Sequence, residues 1–280
     1  MRLPELSVKE IRDGLSGLNL TIGSEIIFFP SIGSTNTEAA ELAARGQREG
    51  TVIIADSQTE GRGRRGRIWV SPAGKNLYLS IIVRPDFPPR DAAMLTFMSA
   101  VACASAIQKL SSVTLSVKWP NDLMVADRKL GGILTEMKTD ANGINYAVIG
   151  IGININLAGP DMPDNIRETA TSVMLQTGHP QSRTLYALEI IKSLDCWYAI
   201  LLESGKGRVI DAWKSLSSTL GRTVTATKGE VELTGLAEGI DNEGALILRL
   251  PDSSVIKINA GDVTMEKQGS RGKGQGSRAE

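Results

Sequence analysis

The 280 residues predict an α+β protein in which a mixed-sheet domain with helices is followed by a small all-β unit of SH3-like size. Two observations carry this expectation. Up to about residue 220, short β-branched runs such as Thr51-Val52-Ile53-Ile54-Ala55 alternate with longer stretches whose apolar residues recur at helical spacing. From Arg222 to Glu266 the pattern changes to short alternating strands, separated by turn signals at Lys228-Gly229, Asp241 to Gly244, Pro251-Asp252 and Ala260-Gly261. The expected divisions are 1–24 for a short leader helix, 25–220 for the main domain, 221–266 for the barrel and 267–280 for a Gly/Ser-rich tail whose composition predicts disorder.

In chain order, Ser7 is an N-cap candidate for a helix reaching Leu15 through Val8 and Ile11. Glu25 to Phe29 reads as a strand, Ser34-Thr35-Asn36 as a polar turn able to cap a helix from Thr37 to Arg45, and Gly46 as its stop. Thr51 to Asp56 and Asn76 to Val83 are strands flanking a glycine-rich loop. Asp91 to Leu110 is a long helix after the breakers Pro88-Pro89; its apolar part, Ala92 to Ile107, is interrupted by Thr96, Ser99 and Ser105, reads as too short to span a bilayer, and is expected to be buried. Val113 to Lys118 is a strand that ends in the turn Trp119-Pro120-Asn121-Asp122. A hairpin from Leu123 to Lys138 follows, then an Asn142-Gly143 turn and a last strand from Ile144 to Asn156. Helices are expected near Ser172 to Gln176, Arg183 to Leu202 and Lys206 to Leu216.

Composition removes several function classes. Lys+Arg and Asp+Glu are equal at 31 each, so the chain lacks the global positive field of a non-specific nucleic-acid binder. The cysteines, Cys103 and Cys196, both fall in helical apolar stretches and read as buried, inert thiols of a reducing cytoplasm. One histidine, His179, leaves a His-based triad or a zinc cluster without its parts. The charged N-terminus is not a secretory signal.

Against that neutral background, Gly61-Arg62-Gly63-Arg64-Arg65-Gly66-Arg67 places four arginines and three glycines in seven residues. Glycine lets backbone N–H groups approach a ligand, and guanidinium forks suit carboxylate or phosphate; the tract is also compatible with a solvated loop or an RNA-binding segment. Two further polar clusters accompany it: Lys118 to Asp122 with Lys129, and Gly150-Ile151-Gly152-Ile153-Asn154, in which period two puts Gly150, Gly152 and Asn154 on one strand face. Glycines there indicate close approach by a ligand or a bulge. No nucleophile–base pair occurs among the three clusters. They supply cations, amides and one carboxylate, which is equipment for stabilising phosphoryl chemistry.

The loop with Trp69, Ser71 and Pro72, then Lys118-Trp-Pro-Asn-Asp122, Arg128-Lys-Leu-Gly-Gly132 and the upstream Ser34-Thr-Asn36, together resemble the biotin protein ligases in order and approximate spacing, over roughly Glu25 to Glu266. The resemblance implies a class II synthetase-like catalytic domain with a C-terminal SH3-like domain. It also implies a two-step reaction: biotin and MgATP give biotinyl-5′-AMP, and a lysine of a biotin carboxyl carrier domain, as in acetyl-CoA carboxylase, then takes the acyl group. Carried over residue by residue, Arg64 and Lys129 are the catalytic candidates, with Arg62 and the Gly63 backbone beside them. Ser34, Thr35, Asn36 and Gln58 bond the ureido ring, and Gly150 and Gly152 leave room for the thiophane and valeryl chain. Arg65, Arg67, Trp69, Lys118, Asn121, Asp122 and Asn154 face the nucleotide, and Asp122 is the candidate Mg²⁺ ligand. The residues before Glu25 are too few for the helix-turn-helix domain of many relatives, so no DNA partner is expected; neither is a membrane. A homodimer is left open. A lipoate or octanoate ligase is the nearest rival, and an RNA-binding protein, disfavoured by 4% aromatic content, is the rival from another class.

Overall fold

The computed structural model describes residues 3–141, 143–228, 231–259 and 261–265. The expected tail 267–280, the end of the barrel at Glu266, and the turn residues Asn142, Gly229 and Ala260 lie outside the described residues. Seven strands form the main sheet: β1 (Glu25–Phe29), β2 (Thr51–Ala55), β3 (Leu77–Val83), β4 (Ser116–Lys118), β5 (Asp122–Val125), β6 (Arg128–Asp140) and β7 (Gly143–Ile153). Their order is β1-β2-β3-β7-β6-β5-β4, with β1 and β2 parallel and every other pair antiparallel, so the sheet is mixed as expected.

Period-two alternation gives the sheet two different faces. One packs Val52, Ile54, Leu79, Ile81, Ile149 and Ile151 against α3 (Ala93–Leu110), α6 (Arg183–Ser204) and α7 (Lys206–Leu216), where Phe97 and Trp213 stack with ring centroids 4.6 Å apart. The opposite face is covered only in part. There Ile53, Ile82 and Val148 pack against Ala39 and Ala43 of α2 (Thr35–Ala44), the crossover that lets β1 and β2 run parallel. Beyond the end of α2 this face carries Ser80, Gly150 and Gly152, and it becomes the floor of a cavity.

Helix α1 (Val8–Leu15) is capped by the Ser7 side chain and seats Ile11 and Leu15 in the core. The segment 158–169 contains the single-turn α4 (Asp164–Arg167), and α5 (Val173–Thr177) follows with its Ser172 cap. Two expectations are corrected. With its preceding turn, α3 spans Pro89–Leu110, 22 residues and long enough for a bilayer; what distinguishes it is that its face is buried against α6, α7 and the sheet. Cys103 is buried, but Cys196 is exposed, because helical spacing does not say which side of α6 meets the core.

The second sheet contains β8 (Thr223–Lys228), β9 (Val231–Ile240), β10 (Leu246–Arg249), β11 (Val255–Ile258) and β12 (Val263–Met265), in the order β11-β10-β9-β8-β12 and fully antiparallel. Trp119 ties it to the main sheet. The buried indole donates from Nε1 to the Gly244 carbonyl at 3.0 Å, and its backbone N–H donates to Thr219 Oγ1 at 2.9 Å. That contact brings β12 alongside the arginine loop.

Candidate functional site

The cavity, about 380 Å³, lies on the half-covered face of the main sheet and brings together every candidate residue except Arg65. Its floor is set by register. Ser80, Gly150 and Leu134 form one row across β3, β7 and β6, and Tyr78, Gly152 and Gly132 form the next. Three glycines therefore share a patch of floor, and each seats one side chain. A Cβ at Gly150 would lie 2.0 Å from Asn36 Oδ1, one at Gly152 2.5 Å from the Trp69 indole, and one at Gly132 3.3 Å from Lys129 Cε. Gly150 and Gly152 thus line the cavity as expected, but the room they leave is filled by Asn36 and Trp69. No bulge interrupts β3–β7 pairing at either glycine.

At the α2 end the groups are neutral and buried. Ser34 stands at the N-cap position without a side-chain cap bond, and α2 begins at Thr35, two residues earlier than the Thr37 start expected, so Thr35 and Asn36 lie in the first turn of the helix and are not its cap. Gln58 performs that service instead: its Oε1 accepts from the Thr35 N–H at 2.9 Å and from Thr35 Oγ1 at 3.0 Å, satisfying a free donor of the first turn. Its Nε2 donates to Ser71 Oγ at 3.0 Å, which donates to the Trp69 carbonyl. Asn36 donates from Nδ2 to Glu136 Oε2 at 2.8 Å and to the Leu134 carbonyl at 3.2 Å, and its Oδ1 accepts from Ser80 Oγ at 2.7 Å.

The other end is ionic. Lys129 Nζ lies 2.6 Å from Asp122 Oδ1 and 5.4 Å from the Trp69 ring centroid. A bulge in the β5–β6 hairpin, between Leu123 and Met124, and a parallel bridge from Lys129 to Ala170 fix the Lys129 backbone. The arginine loop crosses the opening as a 3₁₀ turn at Arg64–Gly66. Arg64 donates to Asn121 Oδ1 at 3.3 Å and lies 3.5 Å from Asp262 Oδ1; Asn121 is held by its own bond to the Ile133 carbonyl. Arg67 also pairs with Asp262. Arg65 sits in the left-handed region at φ 55° and reaches Asp262 from outside the cavity, at 3.7 Å. Arg62 pairs with Glu136 at 3.0 Å.

Burial lowers the Arg64 guanidinium from its ordinary value, against the opposing pull of Asp122, with Arg65 and Arg67 adding to the lowering. Burial likewise lowers the Lys118 ammonium, opposed by Asp122 and assisted by Lys129 and Arg67. Among the described residues Lys118 has no ion pair, and the Trp69 indole N–H is buried without a partner. Asn154 lines the wall, but its amide is committed on both sides, to Thr171 and Asn76, pinning the segment that follows β7. Ser80, Glu136 and Asp262 were not singled out from sequence. Ser80 alone had a visible signal, a polar residue within the apolar run Leu77 to Val83.

Buried amide and hydroxyl groups at one end of a cavity, and converging cations at the other, suit a ligand that carries a polar neutral group and an anion. Residues 28–154 match the profile of the Biotin/lipoate A/B protein ligase family, and residues 219–265 match the Biotin protein ligase C terminal domain. The chain is 34% identical over 261 residues, covering 93% of this chain and 79% of the relative, to the Bifunctional ligase/repressor BirA of Bacillus spizizenii. It is 36% identical over 223 residues, 78% of this chain and 91% of the relative, to the Biotin--[acetyl-CoA-carboxylase] ligase of Paracoccus denitrificans. The biotin protein ligase from Aquifex aeolicus in complex with biotin and ATP superposes with a TM-score of 0.75 at 26% identity, over 88% of this chain and all of that one. The chain belongs to the biotin protein ligase family, and it is a ligase.

Proposed function

We propose that the chain divides at Gly221 into a catalytic domain and an SH3-like domain, and that it joins biotin to a carrier-protein lysine in two steps at this cavity. In the first step a carboxylate oxygen of biotin attacks the α-phosphorus of ATP, and pyrophosphate leaves. Two anions must approach each other, and the charge on phosphorus rises as they do; Arg64, Lys129 and Lys118 offset both effects from the cavity wall. Arg62 and the Gly63 backbone flank them, with Arg65 and Arg67 on the outer, phosphate side. Ser34, Thr35, Asn36 and Gln58 take the ureido ring, whose buried polar groups each cost about 1–3 kcal/mol when left unpaired. The Trp69 N–H and the Lys118 ammonium, without a hydrogen-bond partner and an ion pair respectively among the described residues, support placing the nucleotide between them.

In the second step the carrier lysine amine attacks the acyl carbon, the acyl–phosphate bond breaks, AMP leaves, and an amide remains. Asp122, beside Lys129, orients the incoming amine. Asp122 is also the carboxylate that would hold Mg²⁺; no group of three or more His, Cys, Asp or Glu that could hold a metal occurs among the described residues, but Mg²⁺ commonly takes one or two carboxylates together with substrate phosphates. When bound, Mg²⁺ neutralises phosphate charge. The acceptor class is a biotin carboxyl carrier domain of acetyl-CoA carboxylase or a related carboxylase, in the cytoplasm.

The observation that carries this reading is the half-buried Lys118, desolvated and without an ion pair among the described residues at the cation-lined end of the cavity. Pyrophosphate exchange measured with MgATP and either biotin or lipoate tests it. Exchange should depend on biotin; equal exchange with lipoate would overturn the substrate assignment.

A further inference from the structure

The Arg62 guanidinium has one partner among the described residues, Glu136 Oε2 at 3.0 Å. The two residues come from opposite sides of the cavity. Arg62 stands at the stem of the loop that leaves β2 and returns as β3, whereas Glu136 lies on β6, and the sheet order β2-β3-β7-β6 puts two floor strands between β2 and β6. Glu136 follows Leu134 by two residues on the same face of β6, in the row beyond Ser80, Gly150 and Leu134. The link from Arg62 therefore passes over the end of the floor where Asn36 rests on Gly150. Glu136 is itself held in place: the same Oε2 accepts from Nδ2 of the buried Asn36 at 2.8 Å. The other ties of the loop do not replace this one. Gly63 N–H bonds the Arg67 carbonyl at 2.7 Å and Trp69 N–H the Gly61 carbonyl at 2.8 Å, which bind the loop to itself, and Arg64, Arg65 and Arg67 reach Asp262 at the phosphate end. All of these fix backbone or other side chains. The Arg62 arm turns about its own torsions without moving the backbone, so its place over the ring end depends on its partner.

We infer that Glu136 is a positioning residue that holds the Arg62 side chain as a bar across the ring-binding end of the cavity, and that it sets how fast biotin enters and leaves rather than how tightly biotin is held. The inference rests on the reading that Thr35, Asn36 and Gln58 take the ureido ring. Both partners of the bar belong to the protein, so the pair forms alike with and without a seated ring. It then lowers the open fraction of the free site and of the complex by the same factor. Association and dissociation slow together, and the factor cancels in their ratio.

Stopped-flow tryptophan fluorescence with biotin alone, on the full chain, gives the two rate constants, with Trp69 in the cavity wall as the reporter. Glu136→Gln keeps an acceptor for Asn36 but loses the charge that holds Arg62. It should raise both rate constants roughly three- to fivefold, the range open to a half-exposed ion pair, and leave the dissociation constant within about twofold of wild type. Arg62→Met removes the arm from the other side and should do the same, and the double variant should go no further than either single one. Faster dissociation with association unchanged, which a role in recognition or in folding produces, would overturn the inference. So would rates equal to wild type, or effects of the two substitutions that add. Gln58→Leu separates the two levels: if it leaves the biotin dissociation constant at wild type, the ring does not bind at this end, and the inference falls with the reading it rests on.

Discussion

At the α2 end of the cavity, Thr35, Asn36 and Ser80 are at most 4% exposed and bond one another, whereas at the β12 end the arginine side chains reach 42% exposure at Arg65 and 60% at Arg67. The neutral end is complete before any ligand arrives. The ionic end is completed by carboxylates of the protein itself: Asp122 on Lys129, Glu136 on Arg62, and Asp262 on Arg64, Arg65 and Arg67. Neutral buried groups hold a geometry because each unmade bond is costly, while half-exposed ion pairs are worth little and exchange partners easily. The difference assigns recognition to the first end and charge handling to the second, and substitutions at each should separate along that line.

The largest effect is expected at Lys129. Lys129→Gln removes a cation at the reacting groups and should lower the rate of adenylate formation by about 10²–10³-fold, with biotin affinity far less affected. Stopped-flow measurement of pyrophosphate release at saturating biotin and ATP checks it. If the loss were in biotin affinity instead, the two ends would not be functionally separate.

Arg64→Gly comes next. Its loop crosses the opening, so the variant should still form adenylate but lose it to solvent about 10–100-fold faster than wild type, the range expected when one charge-assisted bond is removed. Release of pre-formed labelled adenylate, followed by filtration, reads this directly. Release as slow as from wild type would remove Arg64 from the lid. At the neutral end, Gly150→Ala sets a methyl group against Asn36 Oδ1, and the backbone of β7 is held by β3 and β6 on both sides. The strain of such an insertion, about 1–3 kcal/mol, should be visible in the melting temperature and as a raised KM for biotin, with the KM for ATP preserved.

Much of this division was legible in the sequence, for specific reasons. The strand span of β1 was read to the residue because a β-branched and aromatic run ended at a clear turn signal. The arginine loop, Lys118 and Lys129 stood out because charged residues at strand ends have few purely structural uses. What stayed hidden depends on register and on contacts between distant segments. Period two placed Gly150 and Gly152 on one face, but only the β3–β7–β6 pairing puts Ser80, Leu134 and Gly132 beside them. Asp262 is 198 positions from Arg64 and follows an ordinary turn, so no local pattern marks it as the partner of the loop. The fillers of the glycine sites, Asn36 and Trp69, were known as candidates; that they pack onto those glycines is a tertiary fact.

The smallest expected effect, and the finest probe of the ionic end, is the pH dependence contributed by Lys118. Burial lowers its ammonium from the ordinary lysine value, so the charge is lost at a lower pH than for an exposed lysine. Nucleotide affinity should therefore be full where Lys118 is protonated and should fall as pH rises through that lowered value. Bound phosphate raises the same pKa by favouring the charged form, so the fall occurs at higher pH in the complex than in the free protein, and ATP binding should take up protons when measured in the intervening range. Lys118→Arg keeps its charge throughout and should remove this alkaline decline without changing affinity near neutrality by more than about tenfold. Titration of ATP affinity against pH for both proteins decides it. An alkaline decline that persists unchanged in Lys118→Arg would assign the titration to another cation at this end, with Lys129, already paired to Asp122, the next to examine.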